Sequence, residues 1–210
     1  MFTVDPEKYR VIDISYTVMP GESVDRPFAI QKNLLPDGAF RYDILKTHSH
    51  VGTHVEVEKH FYEGGKSVAK YPLETFYGPG VLFPVKEKVV TRKTCEERMG
   101  DTIEKGDIVV FRNETTDEAE KAVLSPSCAK WLREREIKML VLDKTMRFGE
   151  NVEKSREFHD ILMSKDVVFV EIVDNLEEIS KSRFFVMSLP YKVQRLDSSF
   201  CRAIVIEEKD

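Results

Sequence analysis

The chain has 210 residues, enough for one domain with a sizeable core and no need of disulfide staples. Its 41% hydrophobic and 33% charged content is that of an ordinary globular protein. The net charge of -5 leaves no basic surplus to displace counterions from nucleic acid, and no apolar run approaches the ~18 residues that span a membrane.

The opening MFTVDPEKYR is too polar and acidic to read as a signal peptide. Tyr9–Tyr16 is rich in β-branched and aromatic residues and reads as a strand, closed by Pro20-Gly21. A Pro36-Asp37-Gly38 turn leads into a second strand-like segment, Phe40–Thr47. Beyond the histidine-rich stretch 48–61, Gly64-Gly65, Tyr71-Pro72 and Gly78-Pro79-Gly80 mark an irregular connection. Gly80–Lys86 and Asp107–Phe111 read as strands, and 113–120 as a polar loop. Ser125-Pro126 is a helix start, serine as N-cap and proline at the first helical position, with the helix running to about Glu136. Trp131, the single tryptophan, lies on its apolar side and reads as core. Met139–Leu142 is a buried strand, Val152–Met163 a second helix and Val167–Val173 another apolar strand. Arg183–Ser188 and Cys201–Ile206 complete the strands. Two helix-then-strand units in the second half point to an α/β fold whose apolar strands are covered on both faces. Cys95, Cys128 and Cys201 show no paired spacing, which fits a reducing cytoplasm.

Four of the five histidines fall in HSHVGTHVEVEKHF, residues 48–61. That crowding of the side chain best suited to transition metals near neutral pH marks a metal site. His50, His54, Glu56 and His60 share one parity, with Val51, Thr53, Val55 and Val57 on the other, the pattern of a strand with a β-branched back and a ligand-rich front. A helix would have to hold Gly52 and four β-branched residues in its interior. In a straight strand positions four apart are about 13 Å apart, too far for two imidazoles to share a metal. A bend or bulge is therefore expected at Gly52. His48 is the weakest member of the set. Further along, Glu171 interrupts the apolar run VVFVEIV, and a carboxylate in a buried strand needs a partner or a metal. His159 stands twelve residues before it on the second helix.

Together these residues resemble a known family. His50-x-Gly52-Thr53-His54-x-Glu56-x-x-x-His60-Phe61 is similar to the HxGTHxDxPxHF signature of the metal-dependent cyclase-like hydrolases, the family of kynurenine formamidases (arylformamidases) and isatin hydrolases. Asp13-Ile14-Ser15, Gly106-Asp107-Ile108-Val109, His159-x11-Glu171 with Asn175-Leu176, Leu189-Pro190 and Arg202-Ala203 extend the likeness along the chain. The resemblance implies a single α/β domain over 1–210 with a swivelling β/β/α barrel-like fold, assembled as a homodimer or higher homo-oligomer. It implies hydrolysis of an amide-type bond (formamide, lactam or cyclic amide) in a small-molecule substrate, using zinc or manganese, one or two ions per chain. By position, His50 and His54 would bind the first ion, Glu56 would bind or bridge, His159 and Glu171 would complete the shell of the second ion, and His60 would be the general acid/base. Metal ions lower the pKa of bound water towards about 7, so the nucleophile would be a metal-bound hydroxide. The chain departs from the pattern at Glu56, where the family has aspartate, and at Glu58, where it has proline. No tryptophan precedes Trp131, so Phe28, Phe40 or Tyr42 would have to replace the N-terminal tryptophan of kynurenine formamidases, and formylkynurenine is not assigned as the substrate. The alternative is a non-catalytic metal- or ligand-binding relative with a drifted site.

Overall fold

A computed structural model describes residues 4–21, 26–115 and 121–209. The chain begins with β1 (Tyr9–Asp13), then a hairpin of β2 (Ala29–Leu34) and β3 (Phe40–Lys46). The histidine stretch contributes only the short β4 (His54–Glu56), followed by a 3-10 turn at Glu58–His60. Next come β5 (Tyr77–Val85), β6 (Val89–Val90) and α1 (Arg92–Met99). They are followed by β7 (Ile108–Asn113), β8 (Ala122–Leu124) and α2 (Pro126–Glu134). Then follow β9 (Met139–Asp143), β10 (Met146–Phe148) and α3 (Val152–Met163). The chain ends with β11 (Val168–Val173), β12 (Arg183–Pro190) and β13 (Ser198–Glu208).

β13, β12, β5, β7, β9, β11 and β4 form a ring, because β4 pairs both with β11 and back with β13. Within the ring, β5, β7, β9 and β11 are parallel. Parallel neighbours need a crossover, and the three crossovers are built alike. Each supplies one short strand (β6, β8 or β10) and one helix (α1, α2 or α3), and the short strands pair with one another in a parallel three-stranded sheet. The result is a mixed α/β fold around a closed seven-stranded barrel, as the sequence led us to expect.

Alternation along the strands divides the core in two. Val55, Val57, Ile108, Val110, Val141, Val168 and Val170 fill the barrel. Val109, Phe111, Leu140 and Phe169 face outward and pack under the helices with Trp131 and Phe158. The expected strands and two helices are all present, with ends shifted by a few residues. Five elements are not evident in the sequence: β2, the crossover strands β6, β8 and β10, and α1. Residues 116–120 of the expected polar loop lie outside the described residues.

Candidate metal centre

β4 places the first donors. Val55 turns into the barrel, so its neighbours His54 and Glu56 turn outward, towards α3. Across the antiparallel pair with β11, Glu171 stands opposite His54. Just past Glu171 the pairing of β11 with β9 shifts, and Ile172 takes φ +58°. A β-branched residue enters that left-handed region only under constraint. The constraint is visible: Thr53 Oγ1 donates to the Ile172 carbonyl at 2.6 Å and accepts from the Tyr16 amide at 2.8 Å.

Gly52 makes the bend expected of it. Its φ is +63°, and a Cβ there would stand 2.3 Å from Val18 Cγ2. The turn folds His50 back until its Nδ1 lies 3.2 Å from His54 Nε2 and 3.2 Å from Glu56 Oε2. The single extended strand inferred from parity does not persist beyond Glu56. His50 arrives by the turn before β4, and His60 by the 3-10 turn after it, with Nε2 3.8 Å from Glu56 Oε2. Two turns solve the reach problem that a straight strand could not. His48 accepts from the His50 amide through Nδ1 and belongs to none of the donor groups.

α3, capped by Asn151 accepting from the Lys154 amide, brings in His159. Its Nδ1 donates to the Ser155 carbonyl at 2.6 Å, which leaves Nε2 bare and 3.6 Å from Glu56 Oε1. The ring is walled by Phe61, Phe148 and Phe169. His54 is fixed in the same way, Nδ1 donating to the Gly52 carbonyl at 2.9 Å and Nε2 turned into the cluster, against His50 Nδ1. The structure therefore brings together all six residues singled out in the sequence.

It adds a seventh. Asp197, immediately before β13, accepts through Oδ2 from His50 Nε2 and from His60 Nδ1, each at 2.9 Å. Nothing in the stretch RLDSSF marks this aspartate. Its place follows from the long-range register that sets Ser198 opposite Glu56.

The electrostatics are those of a crowded donor set. Burial favours the neutral form of Glu56, but the His50 hydrogen bond and the nearby His60 and His159 rings hold it ionised, below the usual carboxylate range. Burial, then the adjacent Glu56 charge, pushes Glu171 up to about 8. Burial pulls His54 down to about 4 and lowers His159 too. His50 is also disfavoured as a cation by burial, yet the Glu56 and Asp197 carboxylates outweigh this and raise it. Burial works against the Asp197 charge as well, but hydrogen bonds from His60 and His50 keep its pKa well below the usual range.

Glu56 Oε1 is buried without a hydrogen-bond partner. An ionised carboxylate oxygen left so is costly in a protein interior. Around it, donor atoms of His50, Glu56 and His60 form one group and those of His54, Glu56 and Glu171 another, each within 4.8 Å. Nitrogen and oxygen donors with an uncompensated acceptor at their centre suit a divalent cation.

Fold and donor set thus define a barrel protein built to hold a divalent cation. Residues 12–146 match the family described as Putative cyclase, and the chain belongs to that family. It is 24% identical over 213 residues to a kynurenine formamidase of Erythrobacter litoralis (strain HTCC2594), covering 96% of this chain and 95% of that one. Among solved structures, it is similar to a potential metal-dependent hydrolase with cyclase activity. The TM-score is 0.76 at 22% identity, over 96% of this chain and 100% of the other. It is also similar to isatin hydrolase A from Labrenzia aggregata bound to benzyl benzoate, with a TM-score of 0.77 at 18% identity over 96% and 94% of the two chains.

Proposed function

We propose that the protein is a metal-dependent hydrolase that cleaves an amide-type bond, a formamide, lactam or cyclic amide, in a small molecule. The observation that carries this reading is the convergence of His50, His54, His60, His159 and Glu171 on the orphaned carboxylate of Glu56. Kynurenine formamidase and isatin hydrolase, named among the relatives, support the class of bond. His50, His54, Glu56, His159 and Glu171 would hold the cation, zinc or manganese, with Glu56 common to both donor groups and so able to serve one ion or two. When bound, such an ion polarises a carbonyl and lowers the pKa of water.

The chain's own part is to orient and to move a proton. His54 and His159 each spend Nδ1–H on a backbone carbonyl and keep Nε2 for the centre. His60 is the general acid/base: Asp197 holds its Nδ1, and its Nε2 points towards Glu56, where a proton can pass to a leaving nitrogen. Phe61, Phe148 and Phe169 keep water from the His159 side.

We also assign the protein as a homodimer of the cytoplasm. Three free cysteines support a reducing compartment, and no described helix is long and apolar enough to cross a membrane. The dimer is supported by the β2–β3 hairpin. Ile30, Leu34, Phe40, Tyr42 and Ile44 share one of its faces and are 39% to 69% exposed. Apolar patches of that kind mark association surfaces.

The test is metal analysis of protein purified without chelator, together with hydrolysis of a panel of N-formyl arylamines, lactams and cyclic imides. His60→Ala should keep its metal and lose about 100-fold or more of its turnover, the usual share of a general acid/base. Metal binding with no hydrolysis across the panel would favour a non-catalytic relative.

A further inference from the structure

Building on the proposed metal-dependent hydrolysis, we infer that Asp197 is a positioning residue that sets the ring orientation and tautomer of both His50 and His60. Its Oδ2 lies 2.9 Å from His50 Nε2 and 2.9 Å from His60 Nδ1. An ionised carboxylate only accepts, so both nitrogens carry hydrogens. The other nitrogen of each ring is thereby turned to the donor cluster. His50 Nδ1 is 3.2 Å from Glu56 Oε2 and 3.2 Å from His54 Nε2, and His60 Nε2 is 3.8 Å from Glu56 Oε2. The two rings lie 4.5 Å apart between centroids, so one oxygen spans them without moving either.

Asp197 is itself well held. Its backbone carbonyl accepts from the Val57 amide at 3.1 Å, and Ser49 Oγ donates to Oδ1 at 3.2 Å. The next residue, Ser198, pairs with Glu56. The carboxylate that orients one metal-facing ring and one proton-carrying ring is therefore anchored to the strand that carries the central donor. Its side chain is 33% exposed, so it can be replaced without opening the core.

The experiment compares wild type with Asp197→Asn, Asp197→Ala and Asp197→Glu. Zinc affinity is measured by competition with a chromophoric chelator, and kcat and KM on an N-formyl arylamine. Thermal melts check that each variant is folded. Asp197→Asn and Asp197→Ala should weaken zinc binding about 10–100-fold, the usual effect of losing a carboxylate behind a metal-facing histidine. They should also lower kcat with little change in KM, and Asp197→Glu should recover part of both. Wild-type zinc affinity and kcat in the Asn and Ala variants would overturn the inference. If Asp197→Ala does not fold, Asp197→Asn decides. A wild type that binds zinc but hydrolyses nothing refutes the proposed reaction alone, and the zinc arm still decides Asp197. A wild type that binds no zinc overturns both.

Discussion

Glu56 and Glu207 are both buried glutamates, and the contrast between them separates a structural carboxylate from a site carboxylate. Glu207 is surrounded by donors: the amides of Ser180 and Lys181, the Ser180 hydroxyl and the Arg10 guanidinium. Burial opposes its charge, but these bonds win and lower its pKa below the ordinary 4.5. A depressed carboxylate stabilises the fold fully above its unfolded value and loses that contribution as pH falls through its folded value. Glu207→Gln is therefore expected to lose about 1.5–3 kcal/mol near pH 7, the range for hydrogen bonds to a charged group. The gap should close in urea melts below about pH 4.5. An equal gap near pH 3 would show that Glu207 acts through packing and not charge. Glu56 has no such set of donors for Oε1, which agrees with the ligand position that its parity with the histidines suggests. Asp197 could not be read this way. It sits in an exposed-looking polar run, and its meaning comes from a long-range strand pairing, Ser198 with Glu56.

At the scale of elements, local chemistry decided what was legible. α2 announces itself through Ser125-Pro126, and the Ser125 side chain does accept from the Cys128 amide. α1 does not. RKTCEERM is almost wholly polar, with only Thr94, Cys95 and Met99 buried, so no apolar stripe betrays it. Its start is instead fixed by a reciprocal cap between Thr91 and Thr94. The hairpin was half legible: Phe40–Thr47 reads as a strand, whereas AIQKNL does not. One face of the hairpin joins Asn33, Arg41 and Asp43 in hydrogen bonds, while the other presents Ile30, Leu34, Phe40, Tyr42 and Ile44 to solvent. An isolated two-stranded hairpin is marginal in water, and a second copy would cover the apolar face. Replacing Phe40 and Ile44 with aspartate is expected to convert the proposed dimer to a monomer in light scattering, with the far-UV spectrum of the barrel unchanged. A wild type that is already monomeric at high concentration would remove the hairpin from this role.

The whole molecule was legible in class because its parallel strands are continuous apolar runs, IVVF, MLVL and VFV, flanked by helix-forming segments. Closure was not. It depends on three residues, His54–Glu56, whose histidine-rich sequence suggests chemistry more than architecture. β4 is the shortest stave of the ring and the strand that joins β11 to β13. Beside it, the bridge of Ser15 to Val173 and the backbone bonds of Ile14 to Ala203 and Asp174 cross the same seam. The segment that carries two of the donors is thus also the latch of the barrel.

A latch of that kind makes ring closure and ion occupancy one equilibrium. Opening β4 would separate His54 and Glu56 from Glu171, so an ion bound across them resists the opening. At free zinc a hundredfold above its Kd, this linkage adds about 2.7 kcal/mol to the closed state. Amide exchange at Val55 and Glu56, if governed by that opening, is expected to slow about 100-fold on zinc addition. Exchange in the middle of β7, far from the latch, should change much less. Uniform protection along every strand would mean that the barrel opens as a whole, and that the ion reports on global stability instead of this seam.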